Sequence, residues 1–321
     1  MSTSGGAAVA AAPGARRRGA LKAYVDLARP FTLLPPALGV VSGAVTAWGA
    51  GHHKLPVTSA LVMPVVFGAV MAAVLNAANN ALNQIYDLDI DRVNKPARPL
   101  PSGTLTLRQA WAFTIVTCAV AWGLAWMATP PGGAHECFWI VVVTTVLCWI
   151  YSAPPIWTKR RGIWANITIA IPRGVLLKVA GWSTVKTIMG LEPWYIGAIF
   201  GLFLLGAAST KDFADIEGDR AGGCRTLPIA YGVKAAAWII APFFVLPFVL
   251  IPVGVWRGIL TGNPVLLMIL GPALILYGIY TVYLLVRRPE DLATTENHPS
   301  WTHMYRMMMV AQIGFALAYV F

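Results

Sequence analysis

Charged residues are scarce in this 321-residue chain, and acidic ones are the rarest. Only 12% of the residues are Asp, Glu, Lys or Arg, whereas soluble domains average roughly 25%. A water-soluble fold of this length would lack the polar side chains needed to cover its surface. With 57% hydrophobic residues and a mean hydropathy of +0.66, the composition instead predicts a multi-pass membrane protein.

The chain has four cysteines, Cys118, Cys137, Cys148 and Cys224, and their arrangement argues against two further kinds of site. They form no CxxC pair, and three of the four lie in apolar runs. A disulfide framework or a thiolate metal centre is therefore not expected, and we predict that these residues are small core side chains.

The N-terminus lacks the apolar run that follows the basic part of a signal peptide. We expect residues 1–20 to be a disordered basic tail and residues 21–321 to be one membrane-embedded domain. The net charge of +11 is dispersed between apolar runs, which suits anionic lipid headgroups and argues against a nucleic-acid partner.

Nine apolar segments reach the length of about 20 residues that a helix needs to cross the hydrocarbon core. They are residues 30–50, 57–82, 108–129, 137–156, 163–185, 193–210, 235–256, 264–286 and 303–321. With these spans, 18 of the 24 Lys and Arg residues fall on one side of the membrane and three on the other. The positive-inside rule then predicts a cytoplasmic N-terminus.

Acidic residues gather at two places, each directly after an apolar span. In "NQIYDLDIDR", residues 83–92, Asp87 and Asp91 continue the four-residue spacing of Asn79 and Asn83 and so share one helical face. In "STKDFADIEGDR", residues 209–220, the spacing i, i+3, i+7 relates Asp212, Asp215 and Asp219. Four spans separate the two clusters, so both are predicted to open on the same, cytoplasmic, face.

Neighbouring carboxylates repel one another unless a cation lies between them. Mg²⁺ prefers oxygen ligands and is commonly held by one or two carboxylates together with substrate phosphates. Lys and Arg residues flank both clusters and could bind the remaining phosphate charge. The pattern therefore predicts a diphosphate held between two Mg²⁺-loaded carboxylate clusters. An EF-hand is disfavoured, because "DLDIDRVNKPAR" lacks the central Gly and the terminal Glu.

These motifs resemble those of the UbiA superfamily of intramembrane prenyltransferases. "NQIYDLDID" is similar to the NxxxDxxxD motif and "DFADIEGD" to the second DxxxD region, and "RPLPSG", "YSAPPIWTKRRG" and "GDRAGGCRTLPIAYG" match as well. The resemblance covers nearly the whole chain. It implies an all-α polytopic membrane bundle of about nine transmembrane helices enclosing a cavity, dependence on Mg²⁺, and transfer of a prenyl group from a prenyl diphosphate to a lipophilic acceptor.

By position, the resemblance assigns the metal ligands to Asn83, Asp87, Asp91, Asp215 and Asp219. We expect the catalytic residues to be Asp87, Asp91, Asp215, Asp219, Lys211 and Tyr151. We expect the substrate-binding residues to be Asn83, Arg92, Lys95, Arg98, Lys159, Arg173, Lys178, Asp212 and Arg225.

Three of these assignments rest on chemistry outside the acidic clusters. Tyr151 offers an aromatic face that could stabilise an allylic cation. Arg173 and Lys178 lie inside the fifth span, where a charge is costly unless it faces a cavity or a partner. We expect both to contact the diphosphate or the acceptor. Four other bases are expected to meet lipid headgroups: Arg160, Arg161, Arg287 and Arg288.

The acceptor stays open between an aromatic quinone- or tocopherol-type precursor, a glycerophosphate lipid alcohol and a chlorophyll-type carboxylate. Two other functions are weighed against prenyl transfer. One is a terpene cyclase on the same scaffold, in which the cation is quenched internally. The other is a cation-coupled transporter, which would place its site nearer the bilayer midplane. The sequence does not define an oligomeric state.

Overall fold

The computed structural model describes residues 13–51, 56–295 and 298–321, and every regular element in these ranges is helical. Helices are expected in hydrocarbon because each one satisfies its own backbone N–H and C=O groups. The α-helices are α1 (Pro13–Ala28), α2 (Leu34–Gly49), α3 (Ser59–Tyr86), α4 (Leu88–Asn94), α5 (Leu107–Met127), α6 (Glu136–Ser152), α7 (Ile163–Ala170), α8 (Leu177–Ser183), α9 (Leu191–Ala207), α10 (Ile216–Ala221), α11 (Leu227–Tyr231), α12 (Val233–Ile240), α13 (Leu246–Trp256), α14 (Pro264–Val286), α15 (Asp291–Thr294) and α16 (Pro299–Val320).

Shorter turns join or extend several of these helices. A π-helical turn (Ile171–Leu176) connects α7 to α8, and 3₁₀ turns follow α9 (Ala208–Phe213) and α12 (Ala241–Phe244). Two further 3₁₀ turns lie at Pro30–Thr32 and Thr158–Arg160.

The all-α prediction is confirmed, but the number of membrane spans is smaller than predicted. Each of the nine apolar segments coincides with helix, yet only six stretches within the described chain are long and apolar enough to cross a membrane. A seventh is added if the bent pair Gly19–Thr32 and Leu34–Gly49, which meet at 47°, is one span. Of the remaining two, α6 has only 17 residues, and α16 carries polar side chains.

The predicted N-terminal tail lies partly outside the described chain. Residues 1–12 are not covered, whereas residues 13–20 belong to α1, so helix begins before position 21. Hydrogen bonds from amide side chains of α3 hold the bend after α1 in place. Asn76, Asn80 and Gln84 each donate a 2.9 Å hydrogen bond to a backbone carbonyl of residues 27–32.

The buried apolar side chains form one large core and two smaller ones. The large core is built mainly from α9, α12–α14 and α16, and includes Phe203, Phe248 and Phe315. Small residues allow close helix contacts, as is usual in membrane bundles. A Cβ on Gly174 of the π-helical turn, for example, would overlap the backbone of Gly201 in α9.

The contacts between helix termini identify two opposite ends of the bundle. Glu192, near the start of α9, accepts hydrogen bonds from the Tyr319 hydroxyl near the end of α16 and from the Thr261 N–H (2.7 Å) just before α14. The starts of α9 and α14 and the end of α16 therefore share one end. The C-terminal ends of α9 and α14 and the start of α16 lie at the other end, where the second acidic cluster follows α9.

Candidate active site

Each acidic motif begins where a long helical segment gives way to a short helix. Asp87 (φ −92°, ψ 11°) separates α3 from α4, and Asp215 (φ −102°, ψ 11°) precedes α10. One turn later, Asp91 N–H donates to the Asp87 carbonyl (2.7 Å) and Asp219 N–H to the Asp215 carbonyl (2.9 Å). The two motifs thus share one local backbone geometry.

Helices α4 and α10 pack against each other and bring the two motifs together. Lys95 Nζ lies 3.1 Å from Asp215 Oδ1, so a base of the first motif pairs with an acid of the second. The Asn94 side chain accepts from Gly218 N–H (3.1 Å) and donates to the Asp215 carbonyl (3.4 Å). A Cβ on Gly218 would overlap the Asn94 amide, so this contact requires glycine.

The first motif is neutralised by bases that come from two different loops. Lys159, between α6 and α7, lies 2.5 Å from Asp87 Oδ2, and both side chains are buried. Arg98 Nη1 lies 2.6 Å from each Asp91 carboxylate oxygen. The Asn83 amide also donates to Asp87 Oδ2. Lys159 thereby links the "YSAPPIWTKRRG" loop to the acidic motif.

Burial and charge act in opposite directions at these groups. Burial disfavours the charged form of Lys159, but the negative charges of Asp87, Tyr151 and Asp219 together outweigh it, and the pKa of Lys159 lies above its ordinary value. Burial raises the pKa of Asp91, and its hydrogen bond from Arg98 offsets only part of that effect. Burial likewise raises the pKa of Asp219 against the opposing charges of Lys159 and Lys211. The ionised forms of Asp91 and Asp219 would therefore be stabilised by an additional cation beside them.

A small hollow, or pocket, beside the second motif contains three more of the site residues predicted from the sequence. It is lined by Tyr151, Asn166, Lys211 and Asp212, and Lys211 Nζ lies 3.4 Å from the Tyr151 hydroxyl. Asn166 donates to the Leu205 carbonyl (3.1 Å) and to the Ser209 hydroxyl. These bonds fix the end of α9 from which Lys211 and Asp212 extend.

A larger, mainly apolar cleft lies between α3, α6 and the π-helical turn. It has about 470 Å³ of empty space including its open mouth, and its walls include Leu75, Ile140 and Leu176. Its polar lining includes Asn79 and Arg173. Arg173 is exposed and forms no ion pair within the described chain.

Three of the predicted substrate-binding residues lie apart from these contacts. Lys178 is 4% exposed, with its ammonium 4.2 Å from the Phe200 ring and 3.5 Å from the Gly39 carbonyl. It does not line the cleft, and we therefore exclude it from the proposed site. Within the described chain, Arg92 pairs with Asp89 alone, and both side chains are largely exposed. Arg225 is exposed, and its side chain has no hydrogen bond or ion pair in the described residues.

Two residues that no sequence pattern indicated lie beside the predicted ones. Asn94 connects the motifs, although nothing in "RVNKP" distinguishes it. Arg29 was counted only as a topology signal. It has a left-handed backbone (φ 56°) on the bend after α1 and lies within electrostatic range of Asp91 and Asp215. No local signal could have placed Arg29 there, because the bend is positioned by distant amides of α3.

The donor chemistry of the acidic motifs fits Mg²⁺. Among the described residues, no three Asp, Glu, His or Cys side chains form a ready-made metal cluster, and Asp87, Asp91 and Asp215 are instead paired with Lys or Arg. The available donors are nevertheless carboxylate and amide oxygens, which are hard ligands. Asp87 Oδ1 is buried without a hydrogen-bond partner, an unusual state that a bound cation would relieve.

Comparison with known proteins identifies the family. Residues 33–298 match the UbiA prenyltransferase family, and the chain belongs to it. It is 33% identical over 263 residues to digeranylgeranylglyceryl phosphate synthase of Methanopyrus kandleri, covering 80% of this chain and 86% of that one. It is 30% identical over 224 residues to the chloroplastic chlorophyll synthase of Arabidopsis thaliana, covering 68% of this chain and 56% of the relative.

A solved structure shares the fold. The UbiA homologue from Archaeoglobus fulgidus bound to DMAPP and Mg²⁺ superposes with a TM-score of 0.70 at 19% identity, covering 92% of this chain and 98% of that one. The predictions of family, helical membrane fold and enzyme class are confirmed. The chain is an integral membrane prenyltransferase.

Proposed function

We propose that this enzyme transfers the prenyl group of a prenyl diphosphate to the hydroxyl of a glycerophosphate-type lipid alcohol. The observation that supports the proposal is the contact of α4 with α10, which brings the two DxxxD motifs next to each other. The choice of acceptor follows the archaeal relative, which the alignment covers to 86%. For chlorophyll synthase the alignment covers only 56% of the relative, so its acceptor is less well supported.

Mg²⁺ would be held by oxygen ligands from both motifs: Asn83, Asp87, Asp91, Asp215 and Asp219. When bound, the metal supplies positive charge that stabilises the departing diphosphate. Ligand binding would require the ion pairs at these acids to loosen, which leaves Lys95, Arg98 and Lys159 free to bind phosphate oxygens. The same bases then act in two states of the enzyme. They neutralise the acids when the site is empty, and they neutralise the diphosphate when it is bound.

The bases of this end of the bundle act on the leaving group. Lys95, Arg98, Lys159 and Lys211 carry fixed positive charge where the diphosphate gains negative charge as the C–O bond breaks. Such preorganised charge stabilises the transition state more than the ground state. Arg225 is an additional candidate, because it is exposed and adjacent to the second motif in sequence.

The cleft between α3, α6 and the π-helical turn fits the apolar part of the reaction. Its aliphatic walls would hold the prenyl chain and keep water from the reactive carbon. Tyr151 lies at the adjoining hollow, where its ring could stabilise positive charge on that carbon. Arg173 and Asn79 offer donors to an anionic group of the acceptor. We further propose that this end of the bundle faces the cytoplasm, as the distribution of Lys and Arg indicates.

Product analysis tests the proposal directly. The purified enzyme is incubated with geranylgeranyl diphosphate and Mg²⁺, with no acceptor or with one of three: a prenylated glycerophosphate, homogentisate or a chlorophyllide. Mass spectrometry should detect a prenylated product with the glycerophosphate. A cyclised hydrocarbon formed without any acceptor would indicate a terpene cyclase. A product with only one of the other acceptors would overturn the proposed acceptor class while leaving prenyl transfer intact.

A further inference from the structure

A polar and aromatic patch lies on the outer side of α14 and α16. In the part of the chain that the structure describes, none of its residues lines the cleft or forms an ion pair with the DxxxD motifs. We call it the α14–α16 patch; it consists of Tyr277, Tyr280, Tyr283, Arg287, His303 and Arg306. At its centre, His303 Nδ1 lies 3.0 Å from the Tyr277 hydroxyl. The His303 ring also makes edge contacts with the Tyr277 and Tyr280 rings, at centroid distances of 5.7 and 5.1 Å.

The surroundings of the patch show that it faces lipid. Tyr280 and Tyr283 are 47% and 55% exposed, and apolar neighbours on the same side are equally open, with Ile279 at 52% and Ile313 at 58%. An ionisable side chain on such a surface is costly unless it reaches the interface or meets a partner.

The depth of the patch corresponds to the membrane interface. At a rise of 1.5 Å per residue, His303 lies about 6 Å and Arg306 about 10 Å from the start of α16 at Pro299. On α14, Tyr283 lies about 4 Å before the helix end at Val286. Tyrosine is typical of this depth, and an arginine can extend its side chain towards the headgroups from there.

The unpaired charge of the patch is positive. Arg306 is exposed and forms no hydrogen bond or ion pair within the described chain. Arg287 lies 5.6 Å from the Tyr283 ring centroid and is also exposed. Glu290 and Asp291 follow shortly after α14, but neither forms an ion pair with these arginines among the described residues. With respect to the described residues, two guanidinium groups are therefore available beside a lipid-facing aromatic surface.

We propose that the α14–α16 patch binds the phosphate of an anionic phospholipid in the leaflet at the DxxxD end of the bundle. Arg306 and Arg287 donate to the phosphate oxygens, which guanidinium groups fit well. The rings of Tyr280 and Tyr283 pack beside the glycerol and upper acyl region. This site is independent of the prenyl-transfer site and of its acceptor.

Native mass spectrometry of the full-length protein with phosphatidylglycerol or phosphatidylcholine tests the site. We expect Arg306→Gln and Arg287→Gln each to raise the Kd of the most tightly bound phosphatidylglycerol molecule about tenfold. This corresponds to a loss of about 1.4 kcal/mol of binding free energy. Phosphatidylcholine binding should stay the same. The matched control is Arg257→Gln, because Arg257 is exposed over an aromatic ring (Trp256, 4.8 Å) at the opposite end of the bundle. This control should bind the tightest phosphatidylglycerol like the wild type.

Several results would overturn the site. They are unchanged phosphatidylglycerol affinity in both variants, an equal loss in Arg257→Gln, or conversion of a dimer to a monomer by Arg306→Gln, which would make the patch an interface between copies. If Arg306→Gln lowers the melting temperature, Arg306→Lys provides the decisive comparison. It keeps the charge but loses the two-pronged donor geometry, so its affinity should fall between those of the wild type and the Gln variant.

Discussion

Replacement of Asn94 by alanine should impair catalysis although Asn94 carries no charge and is not a proposed metal ligand. Its side chain makes two hydrogen bonds to the second motif, one of 3.1 Å with Gly218 N–H and a weaker one of 3.4 Å with the Asp215 carbonyl. Asn94→Ala removes both, while the Lys95–Asp215 ion pair remains.

The expected magnitude follows from these two bonds. A hydrogen bond of this kind contributes about 0.5–1.5 kcal/mol net, and the 3.4 Å bond lies at the low end of that range, so the pair contributes about 1–2 kcal/mol to holding α4 on α10. If that contact positions the two carboxylate sets for one diphosphate, turnover at saturating prenyl diphosphate should fall roughly 5- to 30-fold. Steady-state kinetics on the purified variant would measure the change.

A second asparagine at the far end of the bundle is the control. Asn263 caps α14, accepting from Val265 N–H (2.9 Å) and Leu266 N–H (3.2 Å). Asn263→Ala should cost about 0.5–2 kcal/mol of stability without changing turnover. The reasoning is refuted if Asn94→Ala turns over like the wild type, or if both variants lose the same fraction of turnover.

Three further outcomes are expected. Lys178→Met should keep most activity, because the ammonium contacts the Phe200 ring and the Gly39 carbonyl; a tenfold loss of kcat in kinetic assays would return Lys178 to the site. Removal of Mg²⁺ with EDTA should abolish turnover and re-addition should restore it; product formed at the full rate in EDTA would contradict metal dependence. Lys211→Ala should lower kcat at least roughly tenfold, equivalent to about 1.4 kcal/mol of barrier, whereas Arg288→Ala should not. Equal, small effects on kcat in both variants would indicate that both bases only set the membrane topology.

The helical fold and the acidic motifs could be predicted because their signals are local. Apolar runs mark helices, and the spacing of Asp87 and Asp91 marks one helical face. The break at Asp87 was not predicted, because the amide ladder continues through it in sequence while the backbone ends α3 there. Fewer helices than predicted reach the length and hydropathy of a membrane span, because α6 has only 17 residues and α16 carries polar residues near its start.

Residues that depend on long-range packing were harder to predict. Lys178 and Arg173 lie five residues apart and looked equivalent, but the π-helical turn lies between α7 and α8. Arg173 reaches the cleft, whereas Lys178 is enclosed between α2 and α9. Asn94 and Arg29 were missed for the same reason, since their partners lie on helices far away in sequence.

The central claim is that the two DxxxD motifs form one diphosphate site, and a double-mutant cycle on Asp87→Asn and Asp215→Asn tests it most directly. The measurement is the rate of diphosphate release at saturating prenyl diphosphate and Mg²⁺, with each variant shown to be folded in detergent. Residues that act as a unit have non-additive effects. The account predicts that each single variant loses most activity and that the double variant is no slower than the worse single one. Two independent losses that multiply in the double variant, or a single variant that keeps most of its rate, would contradict it.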